Sequence, residues 1–225
     1  MCGRYTLTKD LAFLQTRFAF EVPRHGNLGF ELGYNIAPAS DVLVVTERAG
    51  KRTGSMMRWG LVPSWAKTSK PKLAPSNARA ENLADSKTFG DAFTARRCLI
   101  LADAFYAWRK AANRMPVRIL LKSKEPFAFA GLWEHWPVSG KPGEPFNSCT
   151  IITTTPNNLI APIYGRMPVI LPNEAEAIWL DSSLGSDEAL GLLKPYTADA
   201  MTFYEVSPSV NNVRNNGPEL LTPAY

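Results

Sequence analysis

The chain has 225 residues, of which 45% are hydrophobic and 20% charged, an ordinary composition for a soluble globular protein with a sizeable core. It contains no apolar run long enough for a transmembrane helix and no secretory signal pattern, and three widely spaced cysteines argue against a disulfide scaffold. We therefore expect a cytoplasmic protein, nucleoid-associated when it binds DNA. A net charge of +5 permits a nucleic-acid partner without requiring one.

The first predicted element is a helix over residues 8–20. Leu11, Leu14 and Phe18 have helical spacing there, and Thr8 is a plausible N-cap. Further helices are predicted at 173–180 and 186–194, with Asn173 and Ser186 as their caps.

Strands are more numerous than helices in this reading. Segments rich in β-branched and aromatic residues predict strands at 41–48, 96–108, 116–123, 126–133, 149–154 and 201–207. Strands and helices do not alternate regularly, so a doubly wound parallel sheet is disfavoured. We predict an α+β fold: a single domain with a curved, barrel-like, mostly antiparallel β core and a few short helices.

Several common chemistries have no support in the sequence. It contains no glycine-rich phosphate loop and no CxxC, HxxxH or HExxH motif, so we expect neither a metal nor a nucleotide cofactor. Of the two histidines, His135 lies between Trp133 and Trp136 and is interpreted as a packed or rim residue rather than a general base. A Ser-His-Asp hydrolase is therefore poorly supported.

What remains is a set of polar and basic segments interleaved with aromatic residues. They are YNIAPAS (34–40), MRWGLVPSWAK (57–67), PSNARAEN (75–82), YGRMPVIL (164–171) and SVNNVRNNGPEL (209–220). Taken singly, each is typical of a turn or of a core residue near a strand end. Taken together, they offer arginines for phosphates, aromatic faces for bases and amides for base edges, which is what a single-stranded nucleic-acid surface needs.

With MCGRYT, LADAFYAWRK and FAGLWEHW, these segments occur in an order that resembles the SRAP family, the SOS-response-associated peptidases. The resemblance covers essentially the whole chain, 1–225, and implies one α+β domain with a barrel-like core. It also implies a monomer that binds abasic sites in single-stranded DNA during the DNA-damage response.

The resemblance gives Cys2 a covalent role. Once Met1 is removed, the α-amine of Cys2 can attack the open-chain aldehyde of an abasic site to form an imine, and the thiol can then close a five-membered thiazolidine. A free α-amino group has a pKa of about 7.7–8.0, so a fraction of it is neutral and nucleophilic near neutrality. While Met1 is present, Cys2 has no free amine and the ring cannot form.

Other site residues follow from matching motifs of the family. Asn77 is expected to contact the abasic site. The residues expected to line the DNA groove are Arg4, Asn35, Pro38, Trp65, Lys67, Arg79 and Arg166.

The chain departs from the family pattern at two positions. Ala107, in AFYAW, stands where the family usually has a glutamate that assists imine chemistry, and Tyr164 stands where it usually has a histidine that promotes reversal. Each general acid–base group typically contributes about 10²–10⁴-fold to rate. We therefore expect slow crosslinking and still slower reversal, with DNA binding retained.

Two alternatives stay open. One is a catalytically weakened module that binds single-stranded or gapped DNA without crosslinking. The other is a thiol peptidase or self-processing enzyme with Cys2 as nucleophile, although no histidine is aligned to activate that thiol. Cys98 and Cys149 lie in strand-like segments and are interpreted as buried, inert thiols.

Overall fold

The computed structural model describes residues 3–23, 28–68, 74–109, 115–137 and 145–224. Within them the strands are β1 Tyr5–Leu7, β2 Gly33–Ile36, β3 Asp41–Arg48, β4 Lys51–Trp59, β5 Asn77–Arg79, β6 Arg97–Ala102, β7 Ala104–Trp108, β8 Pro116–Leu121, β9 Phe127–Trp136, β10 Phe146–Thr154, β11 Met167–Pro168, β12 Ile170–Leu171 and β13 Met201–Glu205. The α-helices are α1 Leu11–Phe18, α2 Gly90–Ala95, α3 Asn173–Leu180 and α4 Ser186–Gly191.

Five strands close into a barrel in the order β10-β4-β3-β6-β9, because β9 also pairs with β10. Most of these pairs are antiparallel, but β4 and β10 run parallel, with Cys149 opposite Trp59. The short strand β5 adds to β10, also in parallel, and places Asn77 opposite Ile151. The barrel interior is filled by aliphatic and aromatic side chains from all five strands.

A second, antiparallel sheet has the order β13-β8-β7-β1-β2 and packs against the barrel. Tyr5 of β1 makes edge-to-face contacts with Trp59 and Phe129, at ring-centroid distances of 5.3 and 5.7 Å. Phe105 of β7 meets Phe129 in the same geometry at 6.3 Å. Aromatic pairs of this kind contribute about 0.5–1.5 kcal/mol beyond their buried area. They fix the N-terminal strand against the barrel wall.

The predicted fold class is confirmed: the chain is α+β with a barrel-like, mostly antiparallel core. The predicted strand at 41–48 and helix at 173–180 match β3 and α3. No helix in the described part of the chain has both the length and the apolarity to cross a membrane.

The single strand predicted over 96–108 is wrong, because the chain breaks at Asp103 into β6 and β7. Asp103 is 5% exposed, and its carboxylate accepts hydrogen bonds from the Thr6 hydroxyl and from both the hydroxyl and the backbone N–H of Thr8. Arg118 pairs with the same carboxylate at 3.3 Å. This buried polar cluster lets β6 stay in the barrel while β7 turns into the second sheet.

The same cluster explains why Thr8 is not a helix cap. Its hydroxyl is engaged by Asp103, and α1 begins later, with the Asp10 side chain accepting from the Phe13 N–H at 2.9 Å. The caps predicted for the other helices are also displaced by one residue. Pro172 and Gly185 occupy the cap positions, and Asn173 instead accepts a hydrogen bond from Arg17.

We predict that Asp103→Ala destabilises the protein by about 3–5 kcal/mol, because it leaves the Arg118 guanidinium buried without its carboxylate partner. Urea denaturation of the variant and the wild type measures the difference. Asp85→Ala removes an exposed carboxylate and serves as the control, with an expected change within about 0.5 kcal/mol. Equal losses in the two variants would contradict a structural role for the cluster.

Candidate functional site

The N-terminal strand positions the segment that follows Cys2. The Arg4 carbonyl accepts a hydrogen bond from the Tyr106 N–H at 2.9 Å, which continues the pairing of β1 with β7. Cys2 itself, together with Met1 and His25, lies outside the described residues. The described part of the N-terminal segment therefore begins at Gly3 and runs into β1, which pairs with β7.

The Arg4 side chain is directed into the protein. One guanidinium nitrogen donates to Asn35 Oδ1 at 2.7 Å and to the Val210 carbonyl at 2.6 Å, and the other donates to the Asn211 carbonyl at 3.2 Å. The guanidinium also lies 5.9 Å from the centre of the Trp108 ring. Burial lowers the pKa of Arg4 from its usual value, but the side chain stays a cation. Arg4 thus joins β1 to the C-terminal segment.

Trp59 connects this strand to Asn77. Its indole N–H donates to the Ser76 carbonyl at 2.7 Å, and its ring is in edge contact with Tyr5. The next residue, Asn77, starts β5 and donates from Nδ2 to the Ser76 hydroxyl at 3.1 Å. A buried indole between the two segments holds Asn77 on the same side of the barrel as the N-terminal strand.

Two exposed loops meet at the end of β4. In the first, Ala39 has φ of 72° and donates to the Trp59 carbonyl at 2.7 Å, which leaves Pro38 exposed. The second begins at Gly60, where φ is 137° and an added Cβ would lie 3.3 Å from the Ala74 carbonyl oxygen. This position favours glycine for both reasons. In that loop Trp65 is 64% exposed, and its sequence neighbour Lys67 is exposed as well.

Arg166 connects three segments near β5. Its guanidinium makes a bidentate pair with Glu81, with nitrogen–oxygen distances of 2.6 and 2.9 Å, and also donates to the Thr153 carbonyl at 2.7 Å. The hydrogen bond from Arg166 lowers the pKa of Glu81. Arg79, two residues before Glu81, is exposed and lies opposite Thr153 in the sheet.

Ala107 and Tyr164 line the same small cavity. It measures about 130 Å³ and is bounded by the end of β7 and by residues leading into β11: Phe105, Tyr106, Ala107, Trp108, Tyr164, Arg166 and Pro168. Ala107 is 8% exposed, so its methyl group faces protein rather than open solvent. Ala107 and Tyr164 are therefore neighbours in space, although they are far apart in sequence.

The sequence-predicted residues thus fall into three groups. Pro38, Trp65, Lys67 and Arg79 are exposed on loops or at a strand edge. Arg4, Asn35 and Arg166 are held by internal hydrogen bonds. Asn77 lies partly buried at the start of β5.

Sequence reasoning did not single out Trp59 or Trp108. The feature of the sequence that could have identified Trp108 is its position directly after Ala107. Nothing in the sequence indicated that Trp59 would bridge two segments.

The remaining thiols and the one described histidine have structural environments. Cys98 and Cys149 are fully buried, as expected, and burial raises the pKa of both thiols. His135 is exposed at the barrel rim, with Nδ1 2.9 Å from the Asn147 side-chain oxygen.

Comparison with known proteins gives consistent results. The family model for the SOS response associated peptidase (SRAP) matches residues 1–213. Abasic site processing protein YoqW of Bacillus subtilis is 40% identical over 226 residues, covering 98% of this chain and 99% of its own. Abasic site processing protein HMCES of Rattus norvegicus is 33% identical, covering 100% of this chain and 76% of its own length.

A solved structure from Bacteroides thetaiotaomicron has a TM-score of 0.90 at 24% identity, with both chains fully covered (100% each), so it shares the fold. The closed barrel, the second sheet and the exposed loops at the end of β4 define an α+β barrel protein with polar and aromatic side chains on those loops. The chain belongs to the SRAP family. Its curated relatives carry the name abasic site processing protein.

The Glu81–Arg166 pair makes a pH-dependent contribution to stability. Because the pKa of Glu81 is lowered in the folded state, its stabilisation is present above the unfolded-state pKa and is lost as the pH falls through the folded-state pKa. We predict that Glu81→Gln costs about 0.2–1 kcal/mol at neutral pH, since the Glu81 side chain is 47% exposed.

Urea denaturation of Glu81→Gln and wild type, at neutral pH and below the folded-state pKa, measures this contribution. The difference should vanish at the lower pH. A difference that persists there would mean that Glu81 acts through packing rather than charge.

Proposed function

We propose that this protein binds abasic sites in single-stranded DNA and, once Met1 is removed, links to them covalently through Cys2. The observation that carries the proposal is the position of β1: Tyr5, three residues after Cys2, packs on Trp59, and the Trp59 indole binds the carbonyl of Ser76, the residue before Asn77. The family and the names of its relatives support an abasic-site substrate. We propose further that the protein acts as a monomer in the cytoplasm or nucleoid.

The covalent chemistry needs no external oxidant, reductant or metal. The neutral α-amine of Cys2 adds to the C1′ aldehyde, and loss of water gives an imine. The thiol adds to the imine carbon, its proton ends on the ring nitrogen, and a thiazolidine results. Only an N-terminal cysteine carries amine and sulfur on adjacent carbons, so no other cysteine of this chain can form the ring.

Noncovalent binding would use the exposed loops. Trp65 offers a stacking face, worth about 1–3 kcal/mol per stacked base, and Lys67 and Arg79 offer cations for phosphates. Asn77 supplies an amide beside the lesion. Arg4, Asn35 and Arg166 act mainly as positioning residues, because their donors are already engaged within the protein.

In this proposal, Ala107 and Tyr164 limit the rates of crosslink formation and reversal. Among the described residues, none that lines their shared cavity carries a carboxylate, and Glu81 is paired with Arg166, one of the lining residues. A phenol is a poor base at neutral pH. Imine formation and ring closure are therefore slow, and reversal is slower still.

We predict that Cys2→Ser abolishes the stable adduct with an abasic oligonucleotide while leaving equilibrium binding within about twofold of wild type. Serine keeps the amine but lacks the thiol, so an imine can form and cannot close to a thiazolidine. Denaturing gel electrophoresis detects the adduct, and borohydride reduction traps the imine in the variant. Intact-mass measurement of each sample establishes that Met1 has been removed.

The outcomes separate the alternatives. Binding by processed wild-type protein without any adduct would favour the module that binds DNA noncovalently. An equally stable adduct in wild type and Cys2→Ser would exclude the thiazolidine. Cleavage of added peptide that depends on Cys2 would favour the peptidase.

We predict that Ala107→Glu accelerates adduct formation by about 10²-fold, because it introduces a proton-transfer group into the cavity beside the N-terminal strand. Single-turnover kinetics with an abasic oligonucleotide measures the rate constant. Ala107→Gln has the same size without a titratable group and is the matched control. If both variants accelerate equally, the effect is steric and the missing carboxylate does not limit the rate.

A further inference from the structure

The C-terminal segment Asn211–Asn216 is exposed but tightly held. Val213 is 54% exposed, an unusual position for a branched apolar side chain, and Arg214 next to it is exposed too. Within the described part of the chain, the Arg214 guanidinium has no hydrogen-bond or ion-pair partner, and only its backbone N–H is engaged, with Asn212 Oδ1 at 3.1 Å. This small protruding surface is called the 213–214 tip below.

A buried amide holds the segment from beneath. Asn35 is 4% exposed, and its Nδ2 lies 3.1, 3.1 and 2.9 Å from the carbonyl oxygens of Val210, Asn212 and Asn215. In return, Asn216 Oδ1 accepts from the backbone N–H of Asn35 at 3.1 Å. Several satisfied buried hydrogen bonds of this kind specify one loop conformation. The tip is therefore presented in a fixed orientation.

The same segment contacts the candidate site directly. Asn211 receives a hydrogen bond from the Trp108 indole at 2.7 Å through its side chain and one from Arg4 at 3.2 Å through its carbonyl. Trp108 lines the cavity that contains Ala107 and Tyr164. The tip follows Asn211 by two and three residues, so it borders the surface on which the N-terminal strand lies.

We infer that the 213–214 tip forms one wall of the DNA-binding groove, with Arg214 bound to a backbone phosphate and Val213 packed against a nucleoside next to the lesion. The inference rests on the proposed function and extends it to residues that motif matching did not assign. Both terminal guanidinium nitrogens of Arg4 and of Arg166 bind protein acceptors, whereas the side-chain donors of Arg214 are exposed and available. An exposed apolar side chain beside an available cation suits a nucleic-acid strand, which presents anionic phosphates next to apolar base and sugar faces.

The test measures equilibrium binding to a fluorescent single-stranded oligonucleotide that contains a tetrahydrofuran abasic analogue, which has no aldehyde and cannot be crosslinked. Arg214→Ala should weaken binding about two- to fivefold at low salt. It should also reduce the slope of log K against log salt by about 0.7, the value for one phosphate contact on single-stranded DNA. Val213→Ala should weaken binding about twofold to threefold without changing the slope.

Matched controls come from elsewhere on the surface. Arg48→Ala removes an exposed arginine at the end of β3, and Ile178→Ala removes an apolar side chain of α3 that is 46% exposed. Both should bind like wild type. Thermal denaturation of all four variants checks that folding is unaffected.

The binding measurements distinguish a failure of this inference from a failure of the proposed function. If wild type binds and Arg214→Ala has the same affinity and salt slope as Arg48→Ala, the role of the tip is overturned and the proposed function stands. If wild type does not bind the oligonucleotide, the proposed function is overturned and this inference with it. A reduced slope in Arg214→Ala alone supports the phosphate contact.

Discussion

The buried carboxylate of Asp103 is the constraint on which the arrangement of the two sheets depends. It ends β6 and begins β7, and by binding Thr6, Thr8 and Arg118 it fixes β1 beside β7. An acidic side chain that is 5% exposed is tolerated only because its oxygens are satisfied. Without this turn the chain would run on in the barrel, and neither the N-terminal strand nor Ala107 would reach the candidate site.

The candidate site lies where the second sheet meets the barrel. Hydrogen bonds within the protein hold its segments in fixed positions. Trp59 binds the carbonyl before Asn77, Arg166 binds Glu81 and Thr153, and Asn35 binds the C-terminal segment. These internal hydrogen bonds engage side-chain donors, such as those of Arg166 and Asn35, that the sequence predicts to bind DNA. The side chains left for a ligand are those on the loops, which the internal contacts hold in place.

The sequence predicts the fold class well because the strands alternate or run apolar and the helices have clear periodicity, as for 41–48 and 173–180. It does not predict the break at Asp103, because the burial of one carboxylate depends on Arg118 from another strand. For the site, the order of the sequence motifs predicts which residues belong to it, but it does not predict the contact that each residue makes. That Arg4 would face inward, or that Ala107 and Tyr164 would share a cavity, follows only from the three-dimensional pairing of distant segments.

The hydrogen bond from Arg4 to the Val210 carbonyl spans 206 positions of the chain. During synthesis the N-terminus emerges from the ribosome first, while the acceptors that orient Arg4 are made near the end. A nascent chain that ends before Val210 lacks these acceptors, so the Arg4 side chain cannot yet be held in its final position. The N-terminal strand is therefore made long before the C-terminal segment to which Arg4 joins it, and this connection forms only when translation is nearly complete.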